Sequence, residues 1–201
     1  MKPLFICGCP RTGTTILQEV LDFHPRISMT YEQGFVRLWE GLLNTIEPRE
    51  TQTAYNPASI EVSSVGDVRA MLDYGFLKAF KRFHRRRKPF CKYYGDKMPS
   101  YLLIINFIRY HFKGSKFLIC ERNRKDTLHS MKLTNPLIPD KDNETTYQKF
   151  AMLTEQNRNS PDCLVVNLDK MKANKYLAFE EIEKFLGMKT DSFNLSLIHE
   201  K

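Results

Sequence analysis

The chain has 201 residues, enough for a substantial core, and its 42% hydrophobic and 27% charged content is ordinary for a soluble globular protein. A formal net charge of +8 favours acidic partners (nucleotide phosphates, acidic peptides, sulfated glycans or nucleic acid) without choosing among them. No apolar run approaches the ~18 residues of a membrane span, and the N-terminus lacks the basic-then-apolar layout of a signal peptide, so the expectation is one cytoplasmic domain over residues 1–201.

Pro3-Leu4-Phe5-Ile6-Cys7 is a short uncharged apolar run, the pattern of a strand buried on both faces. It leads into Gly8-Cys9-Pro10-Arg11-Thr12-Gly13-Thr14-Thr15, after which Ile16, Leu17, Val20 and Leu21 recur at helical spacing. Strand, glycine-bearing loop and helix together aim backbone N–H groups at an anion. The spacing G-x-x-x-x-G matches a nucleotide P-loop, but Thr14 stands where that motif needs Lys, and the positive charge sits inside the loop at Arg11. An ordinary strand-to-helix turn and a degenerate nucleotide loop remain open readings of the same string.

The first helix should run from Thr14 to Phe23 and stop at His24-Pro25, since the residue before proline avoids the helical region. Ile27-Ser28-Met29-Thr30 suits a short strand with Glu32 at its end, and Phe35, Leu38, Trp39, Leu42 and Leu43 mark an amphipathic helix. Periodicity lapses over about 47–64, read as a variable surface loop. A helix then returns and ends in a basic run that includes Arg82, Arg85, Arg86, Arg87 and Lys88. That run suits either a solvated helix end whose cations complement the dipole, or a docking patch for an acidic acceptor. Nucleic-acid binding is disfavoured, because interleaved stacking aromatics are sparse.

Residues 92–96 form a weaker strand, followed by an apolar helix over 100–112 with Ser100 as N-cap. Residues 116–121 are a second clear buried strand, leading through Arg122 and Asn123 into a helix near Lys125-Asp126. Residues 135–143 read as a loop, 144–159 as a helix, 163–168 as a third buried strand, and a last helix stops at Gly187 with only a short tail after it. The alternation predicts a three-layer, P-loop-like α/β fold: a central parallel sheet with helices on both faces. Ligands bind such sheets at the carboxyl ends of the strands, where residues 8–15, Glu32, Lys97 and residues 122–126 converge. The five cysteines (Cys7, Cys9, Cys91, Cys120 and Cys163) include no C-x-x-C pair, and the odd count favours a reducing compartment.

The string Pro10-Arg11-Thr12-Gly13-Thr14-Thr15 after a strand resembles the 5′-phosphosulfate loop of sulfotransferases, usually written P-R-S-G-T-T. These enzymes use 3′-phosphoadenosine-5′-phosphosulfate (PAPS). The resemblance implies donor contacts from Cys9, Pro10, Arg11, Thr12, Gly13, Thr14 and Thr15. A second signature, a strand ending in Arg with Ser eight residues later, is met by Arg122 and Ser130, which the family uses for the 3′-phosphate. Asn123 departs mildly from the family pattern, which often has Pro or Gly near that place. Leu21-Asp22-Phe23-His24-Pro25 followed by Glu32, and Gly95-Asp96-Lys97-Met98-Pro99, narrow the likeness to tyrosylprotein sulfotransferases and their bacterial relatives. That likeness implies Glu32 as general base for an acceptor hydroxyl, with Arg11 and Lys97 at the leaving group. It also implies in-line sulfuryl transfer to a tyrosyl peptide, carbohydrate or small molecule, with PAP as product and no metal required. No clustered His or Cys ligands suggest a metal. No His occupies an obvious base position: His24 reads as a turn residue and His111 as a helix end. The segment that closes over the adenine in larger members is missing or short after Gly187. Two alternatives compete: a P-loop-type kinase or NTPase with Glu121 or Asp169 on a metal, and a non-catalytic basic polyanion-binding protein.

Overall fold

The computed structural model describes residues 1–46, 65–188 and 193–198; the loop expected over 47–64 lies outside them. Five strands, β1 (Lys2–Gly8), β2 (Ile27–Tyr31), β3 (Tyr93–Lys97), β4 (Lys116–Glu121) and β5 (Cys163–Asn167), form one sheet in the order β2-β3-β1-β4-β5. Every pairing is parallel. The helices are α1 (Thr14–Phe23), α2 (Phe35–Ile46), α3 (Val65–Arg87), α4 (Ile105–His111), α5 (Arg124–Thr134), α6 (Asp140–Asn157), α7 (Leu168–Ala173) and α8 (Lys175–Leu186).

Strand alternation sends Leu4, Ile6 and Leu118 to one face, where they are buried with Leu17 and Leu21 of α1, Met171 of α7 and Phe179 of α8. Phe5 and Phe117 point the other way, and the Phe5 ring packs edge-on to Tyr101 and Phe112. A sheet so covered needs apolar residues at both parities, which is why its strands read as unbroken apolar runs. Gly95 is required where β3 meets β1: a Cβ there would lie 1.6 Å from the Leu4 carbonyl oxygen.

The chain divides into two compact units, residues 1–33 with 84–201, and residues 34–83. In the second, the Trp39 ring of α2 stacks on Phe76 of α3 at 4.8 Å, and Phe35 meets Phe80 edge-on. In the first, α1 is pinned at its tail. Asp22 accepts from the Met29 amide (2.8 Å) and from Arg87 (3.0 Å), while Lys88 reaches the carbonyl oxygens of Asp22, His24 and Ile27. Ser28 bonds the buried ring of His84 at 2.8 Å, and burial pushes that imidazole down to about 4.

Several boundaries differ from the sequence expectation. The helix expected over 100–112 with Ser100 as cap is instead a 3-10 turn, Pro99–Ile104, with Met98 at its cap, followed by α4. Pro99 opens that turn, and its tight winding puts the Tyr101 hydroxyl 2.6 Å from Asp96. α6 begins at Asp140, inside the expected 135–143 loop, with Asp140 and Asp142 favourable in its first turn. Leu168 ends no strand; it opens α7, which Asn167 caps through the Asp169 and Lys170 amides. Beyond α8, Phe193 and Ile198 pack onto the core around a short 3-10 turn.

Candidate active site

β1 ends at Gly8 (φ 142), where β4 comes so close that a Cβ would lie 2.3 Å from the Cys120 carbonyl oxygen. The loop is then tied down from within: the Thr12 hydroxyl lies 2.7 Å from the Cys9 carbonyl oxygen and 3.0 Å from that of Cys120. Gly13 (φ 91) is the N-cap of α1, with no side-chain cap and no acid in the first turn. The leading amides of α1, those of Thr14 and Thr15 among them, therefore carry the positive end of the helix dipole without a side-chain acceptor. Cys9 adds no negative charge, since burial pushes its thiol up to about 12. Arg11 holds a left-handed backbone (φ 72), a conformation costing about 1–2 kcal/mol. From it, Nε donates to Ser130 Oγ at 3.1 Å, across 119 residues of sequence. Pro10 completes the loop and is half-buried.

That contact joins the loop to the second expected anchor. Arg122 leaves the end of β4 with its Nε buried and without a hydrogen-bond partner. Asp126 and Asp169 flank the guanidinium at 3.7 and 3.8 Å, too far for hydrogen bonds. A buried guanidinium N–H left open is a strong demand for an anionic acceptor. The start of α5 is capped differently from that of α1. Asn123 caps it by accepting the Asp126 amide at 2.9 Å, and Asp126 fills the first turn, its carboxyl held below the usual range chiefly by the Asn123 bond. Asp169, read in the sequence only as a metal acid of the kinase alternative, instead holds the Asn123 backbone and side-chain N–H groups, both at 3.0 Å. Its position at a helix start beyond a buried strand was the available signal.

The third part comes from the neighbouring strand ends. β2 and β3 pair in register with Tyr31 opposite Lys97, and the Glu32 amide bonds the Lys97 carbonyl at 2.8 Å. Glu32 then turns through a left-handed conformation (φ 44) that brings its carboxylate back over the sheet. Lys97 is wholly buried; its Nζ lies 2.6 Å from Glu32 Oε1 and 3.1 Å from Thr15 Oγ1 of α1. Asp96, on the opposite face, accepts from Thr30 and Tyr101 at 2.6 Å each, and burial raises its pKa against those two bonds. The structure thus brings Arg11 to Ser130, Thr12 to the end of β4, and Glu32 and Lys97 to Thr15.

The basic end of α3 falls elsewhere. Lys88 bonds the Ile27 carbonyl at the start of β2, about 16 Å along the chain from Glu32. Arg87 is turned inward onto Asp22 and the Met29 carbonyl, leaving Arg82, Arg85 and Arg86 exposed. Arg87 and Lys88 thus act as a structural clamp on the tail of α1 and the start of β2. His24 accepts the Arg26 amide and packs on Phe193; it is a turn residue. For the kinase alternative, Glu121 is occupied by Arg158 (2.7 Å) and Asn167 (3.2 Å). Among the described residues no group of three or more His, Cys, Asp or Glu stands together as a metal set, and no helix is long and apolar enough to cross a membrane.

Comparisons with known proteins bear on family and fold. The chain is 22% identical over 199 residues to Protein-tyrosine sulfotransferase 2 of Gallus gallus, an alignment covering 94% of this chain and 52% of that protein. It thus spans about half the length of that relative. The sulfotransferase domain of the Synechococcus PCC 7002 olefin synthase superposes with a TM-score of 0.63 at 18% identity, covering 94% of this chain and 74% of that one. Mouse sulfotransferase SULT7A1, solved in complex with PAP, superposes with a TM-score of 0.55 at 17% identity over 94% of this chain and 60% of that one. With a family model matching residues 3–192, the chain belongs to the sulfotransferase family.

Proposed function

We propose that this protein is a sulfotransferase that takes PAPS as donor and a hydroxyl group as acceptor. The observation that carries the reading is the 3.1 Å contact between Arg11 and Ser130, which sets two anion-seeking elements side by side. PAPS fits the residues present: the uncapped start of α1 and the buried, open Nε of Arg122 both call for phosphate-like oxygens. Cys9, Pro10, Arg11, Thr12, Gly13, Thr14 and Thr15 would hold its 5′ side, and Arg122 with Ser130 its 3′-phosphate. When bound, PAPS supplies the sulfuryl group that passes to the acceptor oxygen.

The chain's own residues divide the remaining work. Glu32 Oε1 is engaged by Lys97, so Oε2 is the oxygen that takes the proton of the acceptor hydroxyl. Arg11 and Lys97 place positive charge on the leaving side, in a site whose lysine is already desolvated. Tyrosyl peptides, carbohydrates and small molecules all offer the required hydroxyl, and the five buried free cysteines support a cytoplasmic setting.

The test is thermal stabilisation by adenosine 3′,5′-bisphosphate against ADP, both without magnesium. At ~100 times its dissociation constant the bisphosphate should add about 2.7 kcal/mol, with ADP giving clearly less. Equal or better stabilisation by ADP, or salt-steep binding of any polyanion without nucleotide selectivity, defeats the proposal. Glu32→Gln should then keep nucleotide affinity while sulfuryl transfer falls at least ~100-fold. Unchanged turnover removes Glu32 from the base role.

A further inference from the structure

Lys97 has a third contact that neither its charge nor its motif requires. Its Nζ sits 3.7 Å from the centroid of the Tyr31 ring, within the range of a cation–π interaction. An ammonium has three N–H groups, and here each has a destination: Glu32 Oε1, Thr15 Oγ1 and the Tyr31 ring face. The placement follows from the sheet. Tyr31 and Lys97 are register partners on parallel strands, so their side chains leave the same face. The bond from the Glu32 amide to the Lys97 carbonyl then locks the two strand ends together. Lys97 is wholly buried while Tyr31 is half-exposed, so the ring lies between the ammonium and solvent. Among the described residues the Tyr31 hydroxyl has no hydrogen-bond partner, which leaves the ring itself as the working part.

We propose that Tyr31 is a positioning residue whose ring face holds the Lys97 ammonium in place and keeps water from it. The catalytic consequence rests on the sulfotransferase reading above; the shielding itself does not. The aromatic face is what matters, so Tyr31→Phe should preserve the effect and Tyr31→Leu should abolish it. Tyr31→Gln serves as a second non-aromatic variant in case Leu impairs folding.

The experiment has two readouts. In the ligand-free protein, acetic anhydride labelling of Lys97 is followed by mass spectrometry. Wild type and Tyr31→Phe should stay protected, and Tyr31→Leu and Tyr31→Gln should label about tenfold faster. In transfer assays with PAPS and three acceptor probes (a tyrosyl peptide, an oligosaccharide and a simple phenol), the same two variants should lose kcat about tenfold with the acceptor KM little changed. Protection of Lys97 in both non-aromatic variants overturns the proposal, as does Tyr31→Phe behaving like Tyr31→Leu. Labelling that divides as expected, with no transfer by any form including wild type, supports the shielding and rejects the sulfotransferase reading instead.

Discussion

The two helix starts that meet at the candidate site are built on opposite plans. α1 opens on a left-handed Gly13, with no side-chain cap and no first-turn acid, so its amides stay available to an anion. α5 opens on Asn123, which has already taken the Asp126 amide, and Asp126 adds a negative charge beside it. On the proposed reading, an anion arriving at α5 would be drawn by the Arg122 and Ser130 side chains instead. On that reading, strand-to-helix geometry would mark the ligand's place, and capping chemistry would decide whether backbone or side chains hold it.

Three substitutions probe this contrast. The largest effect belongs to Gly8→Ala, whose Cβ would meet the Cys120 carbonyl oxygen at 2.3 Å in a backbone conformation (φ 142) unsuited to it. Denaturant unfolding should record a loss of more than ~4 kcal/mol or no folded protein at all. A midpoint like that of wild type would mean the loop can lift off β4. Asn123→Ala should cost about 1–2 kcal/mol through the lost cap, without weakening the bisphosphate. A steep fall in that affinity, measured by calorimetry, would give α5 the same backbone role as α1. Arg11→Gly relieves the left-handed strain and should raise stability by up to ~1 kcal/mol while nucleotide binding drops. Should stability and binding fall together, Arg11 would be a structural residue of the loop.

What was legible in the sequence was what neighbours in the chain decide. β1 and α1 follow from an apolar run, two glycines and helical spacing, and their expected and observed boundaries nearly coincide. Arg122 and Ser130 stand out together in the sequence because one strand-to-helix unit carries both. The start of α6 was missed because Pro139 looks like a loop residue until the acids at 140 and 142 are weighed as first-turn partners of the dipole. The contacts of Asp169 and Tyr31 were not legible for a different reason. Asp169 acts on Asn123 from 46 residues away, and Tyr31 meets Lys97 only through strand register. Local pattern finds the strand ends, whereas lateral pairing decides which side chains share one.

The clamp at the far end of α1 bears on how its near end works. Asp22 is gripped by Arg87, Lys88 and the Met29 amide, which tie the last turn of α1 to β2 and the end of α3. A rod fixed at one tip does not recoil when the other tip takes up charge. An anion held at Thr14 and Thr15, as proposed, would then have its attraction expressed as affinity, with little lost to rearrangement of the helix. Basic residues at the far end of the helix would thereby help set how tightly an anion is held at its start.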